Sequence, residues 1–184
     1  MVVVTGIDCP TGFVPDHTGT VHNPSLSNDL ARIMIEAVLP DNFDEVLPLI
    51  REYQAFYQVS DISDERNRLF FARFGPDSAD GCLFAYRQDG KVVGFATVYF
   101  SFSSTLTAKV GVMNDLYTLA ECRGKGIGRA LINHCRDYAV LHGAARLQWV
   151  TAMDNQRAQQ LYDSLKTAKK PWLFYTYMPE PSAL

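Results

Sequence analysis

The chain has 184 residues, 47% of them hydrophobic, with a net charge of −3 and a pI near 5.8. That length and apolar content suit one domain with a full core. The acidic balance supplies no basic face for nucleic acid, no stretch approaches the roughly 18 apolar residues of a membrane span, and the start lacks the regions of a signal peptide, so the expectation is a cytoplasmic protein without nucleic-acid or membrane partners.

Residues 1–30 hold Pro10, Pro15 and Pro24 among many small polar residues and keep no helical or strand period. They read as an irregular N-terminal extension ahead of a domain at 31–184. Ala31 to Leu39 alternates as a strand does, with Ile33, Ile35 and Ala37 against Arg32 and Glu36. After Pro40, Asp41 or Asn42 can cap a helix whose apolar face carries Phe43, Val46, Leu47, Ile50, Tyr53 and Tyr57. A second helix is expected from about Ser63 to Phe74, stopped by Gly75-Pro76. Strands follow at Cys82–Arg87 and Val92–Ser101, joined by the turn dipeptide Asp89-Gly90, and a third at about Lys109–Thr118; the short connections make them antiparallel.

The period then becomes 3.6, with Ile127, Leu131, Cys135, Tyr138 and Leu141 on one helix face and Gly143 at its end. Arg146–Thr151 reads as a short strand parallel to the one before the helix. Asp154 or Asn155 caps another helix with Ala158, Leu161, Tyr162 and Leu165 on one side. Trp172–Met178 reads as a last aromatic strand. The order β-α-α-β-β-β-α-β-α-β predicts an α/β (α+β) fold: a mixed central sheet of six to seven strands with helices on both faces. Four cysteines and four histidines stand at no metal-ligand spacing, so free thiols and no metal site are expected.

The most informative segment is Arg123-Gly124-Lys125-Gly126-Ile127-Gly128-Arg129, which follows a strand and opens a helix. Three alternating glycines free the backbone to turn its N–H groups toward a ligand. A helix N-terminus adds unpaired donors and partial positive charge, and Arg123, Lys125 and Arg129 add cations, which together suit a phosphate or pyrophosphate. Spacing excludes a P-loop, because Gly126 follows Lys125, and a dinucleotide fingerprint, because Arg129 stands where its third glycine belongs. For the turn alone, a tight connection without a ligand remains the alternative.

Here the sequence resembles the GNAT superfamily of N-acetyltransferases. Arg123-x-x-Gly126-x-Gly128 fits that family's R/Q-x-x-G-x-G/A turn. Asn155-x-x-Ala158-x-x-Leu161-Tyr162 resembles its N-x-x-A-x-x-L/F-Y helix, and Asp115-Leu116-Tyr117 resembles the strand element before the turn. The histone/polyamine-type members are the nearest in character. The resemblance implies acetyl-CoA as cofactor and direct attack of a primary amine on the thioester. It assigns the pyrophosphate to the backbone of Gly124, Lys125, Gly126, Ile127, Gly128 and Arg129, the pantetheine amides to the strand edge at Leu116, Tyr117 and Thr118, and the cofactor arm to Asn155. Tyr162 would lie near the sulfur and protonate the leaving thiolate, a role that suits a phenol; read without the motif it is a core aromatic.

The amine must lose a proton before it attacks, since a free alkyl amine has a pKa of about 10.4. Diamine acetyltransferases of the family have a glutamate where this chain has Asn114, and a carboxamide is no base. Asp115 is the neighbouring carboxylate, directed to the other face by strand alternation unless a bulge intervenes, as it often does in this family. Asp115 is therefore expected to order the site or to act as base through water. A second departure is Lys166–Lys170 in place of a tight glycine turn after Leu165.

For the acceptor, a small-molecule amine or a peptide, Tyr53, Tyr57 and Asp61 are the candidates, with Phe56, Asp64, Glu65, Trp172, Phe174 and Tyr175 nearby; aromatic faces and carboxylates suit a cationic amine. The resemblance also implies a homodimer. The competing function is a non-catalytic acyl-CoA sensor, which needs the turn but no proton donor.

Overall fold

The computed structural model describes residues 33–178; the extension expected at 1–30 lies outside the described residues. The chain divides after Trp149 into two compact units.

The first unit is built on a five-stranded sheet, β1 Ile33–Ala37, β2 Gly81–Gln88, β3 Lys91–Ser103, β4 Ala108–Thr118 and β5 Leu147–Gln148, in sequential order. The first three pairings are antiparallel and β4–β5 is parallel. Asp89 and Gly90 both take positive φ, 50° and 80°, as a tight hairpin turn between β2 and β3 requires. Helix α1 (Phe43–Phe56) and helix α2 (Asp64–Phe71) cover one face of the sheet. There Phe43, Val46, Leu47 and Ile50 join Phe71, Leu83, Ala85 and Phe95 in one buried cluster. Ser63 caps α2 by accepting a hydrogen bond from the Arg66 N–H, 3.3 Å away.

Helix α3 (Ile127–Leu141) lies on the opposite face, where Phe84 meets His134 and Tyr138 edge-on. Close approach of α3 depends on Gly111 in β4: a Cβ there would stand 2.8 Å from the Ala139 Cβ. The buried residues of α3 are Ile127, Leu131, Ile132, Cys135 and Ala139. Leu141, expected on that face, is 82% exposed; in the last turn Ala139 is buried and Tyr138 packs on Phe100 instead. The second unit carries helix α4 (Gln156–Asp163). Among the described residues no helix is long and apolar enough to cross a membrane.

Among the described residues the strand count is corrected from six to seven down to five. Trp172–Met178 has no strand pairing, and its rings are exposed, Trp172 at 83% and Phe174 at 84%. Aromatic content favours a strand only where the side chains meet a half-buried sheet surface, and these do not. The strand expected at 146–151 shrinks to two residues, since its pairing with β4 covers only Gly111–Leu147 and Val112–Gln148.

Candidate active site

A bulge in β4 sets the site. Thr97 of β3 faces Asp115, but Val98 faces Met113, so Asn114 is the extra residue. The added residue resets the alternation of β4, and both Asn114 and Asp115 line a cavity of about 380 Å³ beneath α1 and α2. The bulge on which the sequence made Asp115 conditional is therefore present.

Asp115 is 5% exposed. Its Oδ1 accepts a hydrogen bond from the Asn114 amide at 3.1 Å. Its Oδ2 is buried with no partner at hydrogen-bonding geometry, and the Thr97 hydroxyl beside it is likewise unsatisfied. Burial pushes the carboxyl above the usual carboxylate range, against the nearby Thr97, Tyr53 and Asn114, which favour its charged form. A buried carboxylate with a spare oxygen facing a cavity calls for a donor, and an ammonium group or a water is one. Tyr53 and Tyr99 flank it; both phenols are raised, first by burial and then by the charge of Asp115, so they remain protonated donors at neutral pH.

The walls come from three elements. Gln54 of α1 and Asn67 of α2 bind each other through paired amides at 2.8 and 2.9 Å, which fixes the two helices at the pocket. Phe70 and Tyr99 meet edge-on at 6.5 Å. At the exposed rim, Arg66 pairs with Asp61 at 2.8 Å. Of the acceptor residues expected from sequence, Tyr53 and Asp61 line this pocket with Asp115. Tyr57 packs edge-on against the Tyr53 and Phe56 rings, 5.0 and 5.2 Å away, and does not line it. Asp64 is engaged by Arg51, and Phe56 is 59% exposed. Sequence reasoning missed Arg66, Asn67 and Tyr99. Tyr99 carried a signal, sharing the period-two face of Phe95 and Thr97; Asn67 carried a weaker one, four residues before the buried Phe71 on α2.

The glycine turn lies at the end of β4. Arg123 folds back so that its Nε donates to the Thr118 carbonyl at 2.9 Å and its guanidinium lies over the Tyr117 ring at 5.6 Å. Gly124 and Gly126 then take φ of 83° and 84°, the left-handed region that favours glycine, and a Cβ on either would meet nothing within 4 Å. The requirement there is conformational, and the space outside the turn is open. The Ala130 N–H makes the first bond of α3, to the Gly126 carbonyl at 3.0 Å, so the N–H groups of Ile127 and Gly128 precede the ladder. Lys125 and Arg129 are exposed beside them. Beyond Val112 no strand pairs with the outer edge of β4 among the described residues, so its backbone through Leu116, Tyr117 and Thr118 is an open edge. The Tyr117 side chain points the other way and donates to Glu52 at 2.8 Å. These features fit a pyrophosphate on the turn and an extended amide-bearing arm along the strand.

In the second unit Asn155 caps α4, its Oδ1 accepting from the Ala158 N–H at 3.2 Å. That contact gives Asn155 a structural role and leaves its amide N–H₂ for other partners. Tyr162 is half-buried on α4, and its carbonyl accepts from the Thr167 hydroxyl at 3.0 Å.

Known proteins share the sequence and the fold of this chain. The chain is 35% identical over 133 residues to a D-amino-acid N-acetyltransferase of Saccharomyces cerevisiae, covering 71% of this chain and 82% of that one. It is 31% identical over 146 residues to the thialysine N-epsilon-acetyltransferase of Bos taurus, covering 74% and 84%. An aminoglycoside N-acetyltransferase solved in complex with CoA shares the fold at a TM-score of 0.69 and 14% identity, over 83% of this chain and 99% of the other. Residues 46–166 match the model of the acetyltransferase (GNAT) family, and with well over half of its length in that match the chain belongs to this family of N-acetyltransferases, which transfer the acetyl group of acetyl-CoA to an amine.

Proposed function

We propose that the acetyl acceptor is a small-molecule primary amine that enters the pocket between α1, α2 and the bulge, and that Asp115 takes its proton, directly or through one water. The observation that carries this reading is the unpartnered Oδ2 of Asp115, buried at the pocket floor. An ammonium group there gives the carboxylate its missing donor. The elevated proton affinity of Asp115 brings it nearer to that of an amine, which eases the transfer. Tyr53 and Tyr99 hold the amine by their hydroxyls and ring faces.

The chain's other roles follow the same logic. The N–H groups from Gly124 to Arg129, with Lys125 and Arg129, bind the pyrophosphate. The outer edge of β4 at Leu116, Tyr117 and Thr118 binds the pantetheine amides, and an N–H of that edge faces the oxygen on which charge develops. Acetyl-CoA supplies an activated acetyl thioester and departs as a thiol. Asn155 steadies the cofactor arm and Tyr162 returns a proton to the sulfur; both roles rest on the sequence motif. The names of the two curated relatives support an acceptor of amino-acid size. The homodimer rests on the family resemblance and the cytoplasmic location on composition; light scattering and cell fractionation check them.

Mass spectrometry of amines incubated with the protein and acetyl-CoA tests the reading. The expected result is a product heavier by one acetyl group, formed in step with CoA release and at least about a hundredfold slower in Tyr162→Phe. Binding of acetyl-CoA with no acetylated product from any amine would favour the sensor function instead.

A further inference from the structure

Thr97 of β3 is fully buried, at 0% exposure. A β-branched residue is ordinary in a strand, and valine would fill the same space. The hydroxyl is what calls for a reason. Phe95, two residues earlier on the same face, is as buried as Thr97, and so are its chain neighbours Ala96 and Val98. In such a layer a hydroxyl without a partner lowers stability, and valine would serve the fold better.

The strand across from it supplies the reason. Thr97 is the register partner of Asp115, in the pair that adjoins the bulge. Residues opposed in antiparallel strands project to the same face. Among the described residues three buried side-chain polar atoms lack a partner at hydrogen-bonding geometry, and two of them are the Thr97 Oγ1 and the Asp115 Oδ2. One is a donor and the other an acceptor. Oδ1 of Asp115 is already held by the Asn114 amide at 3.1 Å, so a bond from Thr97 to Oδ2 fixes the carboxylate at both oxygens. Each carboxylate oxygen accepts at two lone pairs, which leaves a place on Oδ2 for an amine. Bonds of this kind are often loose without substrate and tighten when it binds. Thr97 does not line the cavity, so it acts on an amine only through Asp115.

We propose that Thr97 is the positioning residue of the proton acceptor: its hydroxyl donates to Oδ2 of Asp115 and aims that oxygen at the amine. The proposal rests on the reading of Asp115 as base and adds the group that prepares it. The contribution of Thr97 favours the charged form of Asp115, the form that can take a proton. As the amine nitrogen bonds to the acetyl carbon and the C–S bond breaks, the proton lost by nitrogen passes to Oδ2. The Thr97 proton stays on its own oxygen. A hydroxyl can donate to the carboxylate before that transfer and accept from the carboxylic acid after it, and a methyl group can do neither. The other titratable groups about the carboxylate are the phenols of Tyr53 on α1 and Tyr99 on β3, with Arg66 of α2 and Asp61 at the rim; a change at Thr97 alters none of them.

Carbon-13 NMR of the side-chain carboxylates tests the pairing without any acceptor, with the Asp115 signal assigned by its absence in Asp115→Asn. In Thr97→Val, which keeps the shape, the Asp115 titration midpoint is expected to rise by about one to two pH units, the worth of one hydrogen bond to a charged group. The acid limb of CoA release, followed with lysine, putrescine and spermidine as amines, rises with it, so that on the limb the rate falls about tenfold to a hundredfold. Thr97→Ser returns both toward the unaltered values. Thermal denaturation confirms folding, and Thr97→Ala takes the place of the valine variant should that one not fold. A midpoint unmoved in Thr97→Val, or moved as far in Thr97→Ser, overturns the pairing. A midpoint that rises while the acid limb stays refutes Asp115 as the base, and the positioning role falls with it. Absence of acetylated product from all three amines contradicts the acceptor reading, and the midpoint alone then decides the pairing.

Discussion

Asp115 carries a cost in stability beside its proposed role in chemistry. Its carboxyl is held above the usual range, chiefly by burial. A group whose folded pKa exceeds its unfolded value of about 3.9 contributes stability fully present below that value and lost as pH rises through the folded pKa. At pH 7 the folded state therefore carries a cost, in buried charge or in proton uptake, that the unfolded chain escapes. Asp115→Asn removes that charge, and the variant is expected to gain in Tm over the unaltered protein at pH 7 and to lose the gain at pH 4. Calorimetry at the two pH values checks this. A variant less stable at pH 7 than at pH 4, relative to the unaltered protein, would mean that Asp115 is held by hydrogen bonds for structure. The reach of Asp115 into the pocket was half legible: the carboxylate and its neighbour Asn114 were there to be named, but a bulge leaves no period in the sequence, because one added residue changes pairing and not composition.

At the scale of elements, the turn and the helix behind it make separate demands on glycine. Gly126→Ala forces a side chain into the left-handed region at about 1–2 kcal/mol and disturbs the fan of N–H groups, so calorimetric titration with CoA should show weaker binding. Binding unchanged would contradict the turn as the diphosphate site. Gly111→Val instead overfills the seam where α3 meets β4 and is expected to cost about 1–3 kcal/mol in urea denaturation. Local chemistry made several elements readable. Asp89-Gly90 fixed the hairpin, Ser63 the start of α2, and Asn155 the start of α4. The misreadings fell where pairing partners decide the outcome. Trp172–Met178 has strand composition without a strand beside it, and β5 pairs with β4 over two residues alone.

Across the whole molecule, the pocket draws on residues from Ile50 to Asp115, distributed over two helices, a loop and two strands. A one-dimensional pattern marks which residues are buried but not which of them converge, so Tyr53 and Asp61 were found while Arg66, Asn67 and Tyr99 were not. The glycine turn proposed to hold the pyrophosphate was legible as a turn because its parts are contiguous. If it holds CoA in the folded state alone, CoA at a hundred times its Kd should stabilise the protein by about 2.7 kcal/mol. That gain should shrink with added salt, as Lys125 and Arg129 are exposed to screening.

Removal of the amine's proton is the role proposed for the carboxylate at the pocket floor. The most direct test is the rate of CoA release at saturating amine, followed from acidic to alkaline pH in the unaltered protein and in Asp115→Asn. The expected result is an acid limb in the unaltered protein, set by a group titrating above the usual carboxylate range, and a variant at least about a hundredfold slower in which that limb is gone. A variant that keeps the original rate and the original limb would contradict it.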